Sequence, residues 1–334
     1  MRYSNQFSIF FFRFHLIISI LLLFSCGLSD KEKQKNSVFR ANQFLTDGLC
    51  AKALNELAKV SDPYKDYYFF QVKAAAYACQ SGYSDLDFFD DIDNFNSASF
   101  FNSLATFSSS SETDPDSVSF TKLALAIDTI LFSVSATQNL TTDRKDHFGN
   151  EKGEDISFQS LSMILVYLGK WLYYFGSVDS DGIKGAGDGL GSGKSCVLNY
   201  PNTVAFDALL DLVTTESCTS TNGDTAGHPD LNIADPAIGV DLFAERTCRF
   251  IVYVNHMIDI ISTISLSSND SLGDMVNLKT ALETLSSQAD GNFEITEILG
   301  FYEQSTCLDY VKASAGNQDN IKGYFAALVE SNFL

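Results

Sequence analysis

The sequence predicts an all-α protein: helical hairpins packed as an irregular, repeat-like bundle, interrupted by a loop-rich insertion that contains cysteines. Three observations lead there. Apolar residues recur at three- and four-residue steps through most of the chain. Period-two alternation, the mark of a half-buried strand, is scarce. Residues 156–176, "ISFQSLSMILVYLGKWLYYFG", are apolar nearly all round, as expected of a central buried helix.

At the amino terminus, Arg2 and Arg13 precede the uncharged run Leu16 to Phe24, and no acid occurs before Asp30. A membrane-spanning helix needs about 20 apolar residues; a secretory leader needs only about 7–15. Residues 1–25 therefore read as a signal peptide. The run ends in Leu23-Phe24-Ser25-Cys26-Gly27, which resembles the lipobox of bacterial lipoproteins. The resemblance implies cleavage before Cys26, diacylglycerol on its thiol and acylation of the new amino terminus. Several buried acyl chains at about 0.8 kcal/mol per CH₂ make a durable anchor. Gly27, where the family uses Asp for inner-membrane retention, implies the outer membrane, facing the periplasm or the outside. Residues 26–37 then read as a lipidated polar tether, and residues 38–334 as the helical domain.

The next signals lie between Val38 and Val60, where Phe44, Leu45, Ala51, Leu54, Leu57 and Ala58 keep helical spacing until Pro63 stops the segment. Tyr64 to Ser81 follows, with Tyr68, Val72, Ala75, Ala76 and Cys79 on one broad face. "DGLCAKALNELAKVSDP" and "AAAYACQSGY" resemble a degenerate tetratricopeptide pair over residues 38–84, with Gly48, Ala53, Leu57 and Pro63 in the small and apolar roles. No third copy follows. The resemblance implies a helix pair whose faces need the rest of the chain to cover them.

"DLDFFDDIDNF" (85–95) reads as a solvated rim with aromatics turned inward, and 107–117 as a loop. Val118 to Val134 is a helix, and 137–155 is a polar connection to the buried helix. Residues 177–235 then change texture to Gly, Asp, Ser, Thr and Asn, with a short helix near Val204 to Val213. Insertions this long are functional or mobile. Asp235-Pro236 has the chemistry of an N-cap and first-turn proline opening a long helix. Shorter helices are expected around Asp274 to Gln288, Phe293 to Ala313 and Asn320 to Ser331.

Charge narrows the function. The chain holds 22 basic and 42 acidic residues, a net charge of −20, and removing residues 1–25 takes away two of those bases and no acid. Such a body repels nucleic acid, which is excluded as a partner. With 45% hydrophobic residues it still has a sizeable core. Besides Cys26 there are six cysteines, Cys50, Cys79, Cys196, Cys218, Cys248 and Cys307, an even number that fits disulfides in an exported chain. Six cysteines allow 15 pairings; proximity favours Cys50–Cys79, Cys196–Cys218 and Cys248–Cys307. Zinc-type spacing is missing.

Few motifs suggest chemistry. "DGLGSGKS" (188–195) departs from a phosphate loop, because Asp188 stands at the position that needs glycine and no strand leads in. Asp179, Asp181 and Asp188 offer oxygen ligands for Ca²⁺, with Gly182 at a sharp turn. Ile183 and Leu190 occupy positions where an EF-hand needs ligands, so the choice is between a non-EF Ca²⁺ loop and a bare acidic loop. Asn255, His256 and Asp259 fall within about one turn of a helix; they suit a base and its orienter, or a polar pair at a helix interface. No nucleophile elbow, HExxH or carboxylate dyad stands out. The expected function is a non-catalytic, lipid-anchored scaffold that binds envelope proteins or peptides, with no cofactor. The alternative is a Ca²⁺-dependent or small-ligand-binding lipoprotein that uses the 177–235 insertion.

Overall fold

Ser29 opens the first helix with a reciprocal cap. Its hydroxyl accepts from the Glu32 backbone N–H at 3.3 Å, and the Glu32 carboxylate accepts from the Ser29 N–H at 2.8 Å. Two of the donors that any helix start leaves unpaired are thereby met. The structure, a computed structural model, describes residues 29–61, 65–84, 88, 104, 107, 117–176, 196–201, 203, 205–206, 210, 227–233, 239–264 and 293–330.

Helix α1 spans Asp30–Thr46, so the stretch expected as tether is already helical from Asp30. The single helix expected between Val38 and Val60 is two. Gly48 adopts φ 69°, a left-handed conformation that ends α1, and the chain restarts as α2, Cys50–Leu57. Helix α3, Tyr67–Ser81, is capped by Asp66, whose carboxylate accepts from the Phe69 N–H at 3.1 Å. Helix α4, Val118–Leu131, is capped in the same way by Ser117.

The polar connection expected over 137–155 is instead helix α5, Thr141–Phe148, and the first turn of α6, Asn150–Phe175. Only Thr141 and Arg144 of α5 are buried, and both are polar, so no apolar period announces this helix. In α6 every residue from Ser160 to Leu172 is buried, as its composition predicted. Helix α7 is Gly239–Thr263; the Asp235-Pro236 start lies outside the described residues, as does the helix expected at 274–288. The segment expected as one helix from Phe293 to Ala313 is split into α8, Ile295–Ile298, and α9, Gln304–Ala313. Helix α10, Ala315–Leu328, begins earlier than expected because Ser314 caps it, accepting from the Asn317 N–H at 3.1 Å.

Among the described residues the secondary structure is helical throughout, with no strand. The predicted all-α class is therefore the observed one. The principal core surrounds α6 and α7, with α3, α4 and α10 packed about them. At its centre Trp171 meets Phe175, Phe250 and Phe325 at ring-centroid distances of 4.7, 4.4 and 5.6 Å. A smaller core joins α1, α2 and α3 through Val38, Ala41, Ala53, Leu57, Phe69 and Val72.

Two disulfides staple neighbouring helices. Cys50–Cys79 joins the start of α2 to the end of α3, and Cys248–Cys307 joins α7 to α9, with Cα–Cα distances of 5.7 and 5.6 Å. Cys196 is disulfide-bonded too; Cys218, its expected partner, lies outside the described residues. The described parts of the 177–235 insertion are packed into the main core, Val197 and Leu198 fully and Phe206 and Leu231 almost so. Glu330 fastens them: one carboxylate oxygen accepts from the Val197 N–H at 2.6 Å and the Tyr200 hydroxyl at 3.0 Å. Among the described residues no helix is long and apolar enough to cross a membrane.

Candidate functional site

Four residues at helical spacing on α7, Leu242, Glu245, Arg246 and Arg249, form one wall of a pocket. Tyr167 and Trp171, one turn apart on α6, form the second. Phe120 and Thr121, at the amino-terminal end of α4, complete it. The cavity measures 310 Å³, at the small end of the roughly 300–1,000 Å³ typical of ligand sites. It is wide enough for one ring or side chain and too small for a folded surface.

Both arginines are held in place. The Arg246 Nη1 donates to the Asp230 carbonyl at 2.7 Å while its guanidinium lies 5.7 Å from the Phe175 ring centroid. The Arg249 Nε donates to Gln304 Oε1 at 3.1 Å, and the Gln304 amide nitrogen donates to the Glu245 carbonyl at 3.2 Å. Gln304 opens α9, which Cys248–Cys307 ties to α7. Arg249 therefore points where the disulfide-linked helix pair puts it. Its Nη groups donate to nothing else among the described residues. Trp171 is 1% exposed, and its indole N–H has no partner among the described residues.

Electrostatically the pocket opposes the rest of the molecule. Two guanidiniums and the positive end of α4 face it, against the exposed Glu245. Asp128, a half-buried acid on α4, accepts from the Tyr253 hydroxyl at 2.9 Å. Burial pushes its carboxyl above the usual carboxylate range despite Arg249 and the Tyr253 hydrogen bond. Burial likewise raises the Tyr167 and Tyr253 phenols well above their ordinary value, so both are neutral hydrogen-bonding groups here.

The trio that the sequence singles out lies elsewhere and does not form a base with its orienter. His256 is fully buried; its Nε2 donates to the Tyr302 carbonyl at 3.0 Å and its Nδ1 has no partner among the described residues. Asn255 donates to the carbonyls of Ile298 and Phe301, both at 2.9 Å, closing the end of α8. Asp259 turns to α5, where it accepts from Thr141. Burial first, then the Arg144 charge, pulls the His256 imidazole down to about 3. Neutral at any ordinary pH, it holds the 298–302 turn onto α7. The Ca²⁺ candidates Asp179, Asp181 and Asp188 lie outside the described residues. Among the described residues no cluster of three or more His, Cys, Asp or Glu side chains is arranged to hold a metal.

Sequence reasoning missed the pocket. The available signal was Glu245-Arg246-x-x-Arg249, two arginines on one face of a helix in a strongly acidic chain, beside the single tryptophan. Comparison with protein-family models, with characterised proteins and with solved structures found no match.

Proposed function

We propose that this chain is a lipid-anchored protein of the outer membrane of the cell envelope that binds a partner without transforming it. The lipobox resemblance at Leu23 to Gly27 supports the anchor. The observation that carries the reading is the oxidised state of the cysteines: Cys50–Cys79 and Cys248–Cys307 are bonded, and Cys196 is oxidised as well. Disulfides at this density belong to exported chains. A helical body stapled in this way suits a scaffold that presents fixed surfaces to envelope proteins or peptides. The alternative, a Ca²⁺-dependent or small-ligand-binding lipoprotein that uses the 177–235 insertion, gains nothing from the pocket between α4, α6 and α7, because none of that pocket's lining residues belongs to the insertion.

Fractionation tests the reading. Substituting Cys26→Ser is expected to move the protein from the membrane to the soluble fraction and to abolish incorporation of labelled fatty acid. Retention of the variant in the membrane overturns the anchor. Thiol counting on the denatured, unreduced protein is expected to find none of the six downstream cysteines free. Chemical crosslinking in cells is expected to capture envelope proteins; a lone uncrosslinked chain counts against the scaffold.

A further inference from the structure

We infer that α1 lies along the bilayer that holds the anchor, with Lys31, Lys35 and Phe39 turned to its anionic headgroups. This rests on the lipid anchor proposed above and adds a defined face to it: the body docks on the membrane instead of swinging from a tether.

Chain length supplies the first reason. Cys26, the proposed site of lipid, precedes the Ser29 cap of α1 by only three positions. Three residues reach about 11 Å at full extension, close to the Debye length of about 8–10 Å over which a charged surface is felt. The start of α1 is therefore held at the headgroups. The helix cannot pivot there by itself, because its inner side belongs to the body. Val38 and Ala41 are buried in the smaller core with α2 and α3, and Gln34 Oε1 accepts from the Ser61 N–H at 2.9 Å.

The outer side of α1 has the chemistry of an interfacial helix. Lys31, Lys35 and Phe39 recur at four-residue steps along one ridge. All three are exposed, Phe39 to 56%. Basic side chains beside an apolar ring suit the boundary between headgroups and acyl chains. From Lys31 to Phe39 the helix rises about 12 Å, so only a helix lying flat brings the three to the surface together.

Charge decides which side of the body turns to the bilayer. The chain carries a net −20, yet no acid occurs from Lys33 to Thr46. Two of the four bases on α1 are already paired, Lys33 with Asp30 at 3.1 Å and Arg40 with Glu56 at 3.6 Å. The Glu32 carboxylate turns back onto the Ser29 cap. Lys31 and Lys35 meet no acid among the described residues. An anionic surface attracts these two ammonium groups and repels the acidic remainder.

An added tryptophan tests the face, because the native Trp171 is 1% exposed and sits in the principal core. Full-length Phe39→Trp protein is purified from membranes and its mass checked for acyl groups. It is then reconstituted in vesicles of phosphatidylcholine and phosphatidylglycerol with brominated acyl chains. The brominated lipid is expected to quench the added indole and to leave the parent emission unchanged. Introducing Lys31→Gln and Lys35→Gln together is expected to lower the docked-to-free ratio about tenfold or more, read as emission that recovers at lower salt. Acylated protein whose added indole stays unquenched overturns this inference alone and leaves the face to a protein partner. Quenching with the same salt dependence after both lysine substitutions overturns it as well. Protein without acyl groups overturns the anchor and takes this inference with it.

Discussion

Thr141 donates twice to the same carboxylate oxygen of Asp259, from its backbone N–H at 2.8 Å and its hydroxyl at 2.7 Å. The same hydroxyl accepts from the Arg144 Nη2 at 3.0 Å, so a side chain at the start of α5 links a buried cation to an acid on α7. Arg144, fully buried, also donates through Nε to Ser157 at 2.8 Å and through Nη1 to the carbonyls of Leu131 and Asn139. One guanidinium thus fastens the end of α4, the 132–140 connection, α5 and α6. Burial pulls its pKa down to about 10, with Asp259 and Asp143 opposing.

Removing the centre of that clamp is expected to cost more than removing a link. Arg144→Met leaves two buried carbonyls and two hydroxyls without their donor, and is expected to destabilise by about 3–5 kcal/mol. Thr141→Val breaks the relay alone and is expected to lose about 1–3 kcal/mol. Adding Asp259→Asn to Thr141→Val is expected to cost less than the two single losses combined, since both cut the same link. Urea unfolding followed by circular dichroism measures the four variants against the parent. Equal stabilities for Arg144→Met and the parent refute the clamp.

His256 gives this fold an acid sensitivity with a definite sign. In the unfolded chain its imidazole titrates near the ordinary 6.5; in the fold it is held down to about 3. Between those values the unfolded state binds a proton that the folded state does not, so stability falls as pH falls, by up to about 1.4 kcal/mol per pH unit. Asp128 works the other way. Its raised carboxyl takes a proton in the fold first, and that contribution is lost as pH rises through its folded value. The His256 contribution approaches its full slope about one pH unit below 6.5, and Asp128 opposes it between the ordinary carboxylate value and its own raised one. His256→Gln keeps a donor for the Tyr302 carbonyl and removes the titration, and is expected to flatten the slope between pH 6.5 and 5. An unchanged slope in that variant assigns the sensitivity elsewhere.

The long helices were legible because their partners are apolar and generic: α6 and α7 announce themselves by composition and period alone. Helix α5 was not, since its two buried residues, Thr141 and Arg144, are polar and derive their burial from Asp259, Ser157 and two carbonyls. The break at Gly48 sits inside an unbroken helical pattern, and only the backbone conformation there ends α1. The Ser29-Asp-Lys-Glu32 start was readable as a capping box, yet the surrounding polarity made it look like tether. Asn255, His256 and Asp259 stood out as a cluster, but Thr141 lies 118 residues from Asp259 and Tyr302 lies 46 from His256. No local spacing shows such partners. Arg246 and Arg249 meet Phe120, Tyr167 and Trp171 only through the packing of α4, α6 and α7, which no local spacing shows.

The two described disulfides are expected to open in a fixed order. Cys50 and Cys79 are partly exposed, whereas Cys248 and Cys307 are fully buried. Thiol–disulfide exchange needs access to a sulfur, so a native protein under mild reductant should release the first pair well before the second. Alkylation and peptide mapping over time reads the order. The bridges also differ in the loop they close, with separations of 29 and 59 residues. On the chain-entropy model these correspond to about 3.6 and about 4.2 kcal/mol. Replacing Cys248 and Cys307 with Ala is therefore expected to cost at least as much as replacing Cys50 and Cys79. It also frees Gln304 from the position that orients Arg249. Simultaneous reduction of both pairs contradicts the burial pattern.

Helices α5 and α6 meet so closely at Gly153 that a single methyl group is expected to part them. A Cβ on Gly153 would lie 2.6 Å from the Lys145 backbone nitrogen and Cα and 2.8 Å from the Arg144 carbonyl carbon. Backbone cannot rotate away as a side chain can. Alanine is intrinsically better than glycine in a helix by about 0.8–1.0 kcal/mol, but here α5 must move, carrying Arg144 and Thr141 off their partners. Gly153→Ala is expected to destabilise by about 1–3 kcal/mol, the usual penalty for overpacking. Gly316, on the exposed first turn of α10, is the control: its added Cβ meets nothing nearer than the Ser314 hydroxyl at 3.7 Å. Gly316→Ala is expected to stabilise by up to about 1 kcal/mol. The same substitution thus acts with opposite signs at two helical glycines, and thermal melting of the two variants measures the difference. A stabilised Gly153→Ala would mean that α5 does not pack against α6 at this crossing, and the Arg144 clamp would lose its framework with it.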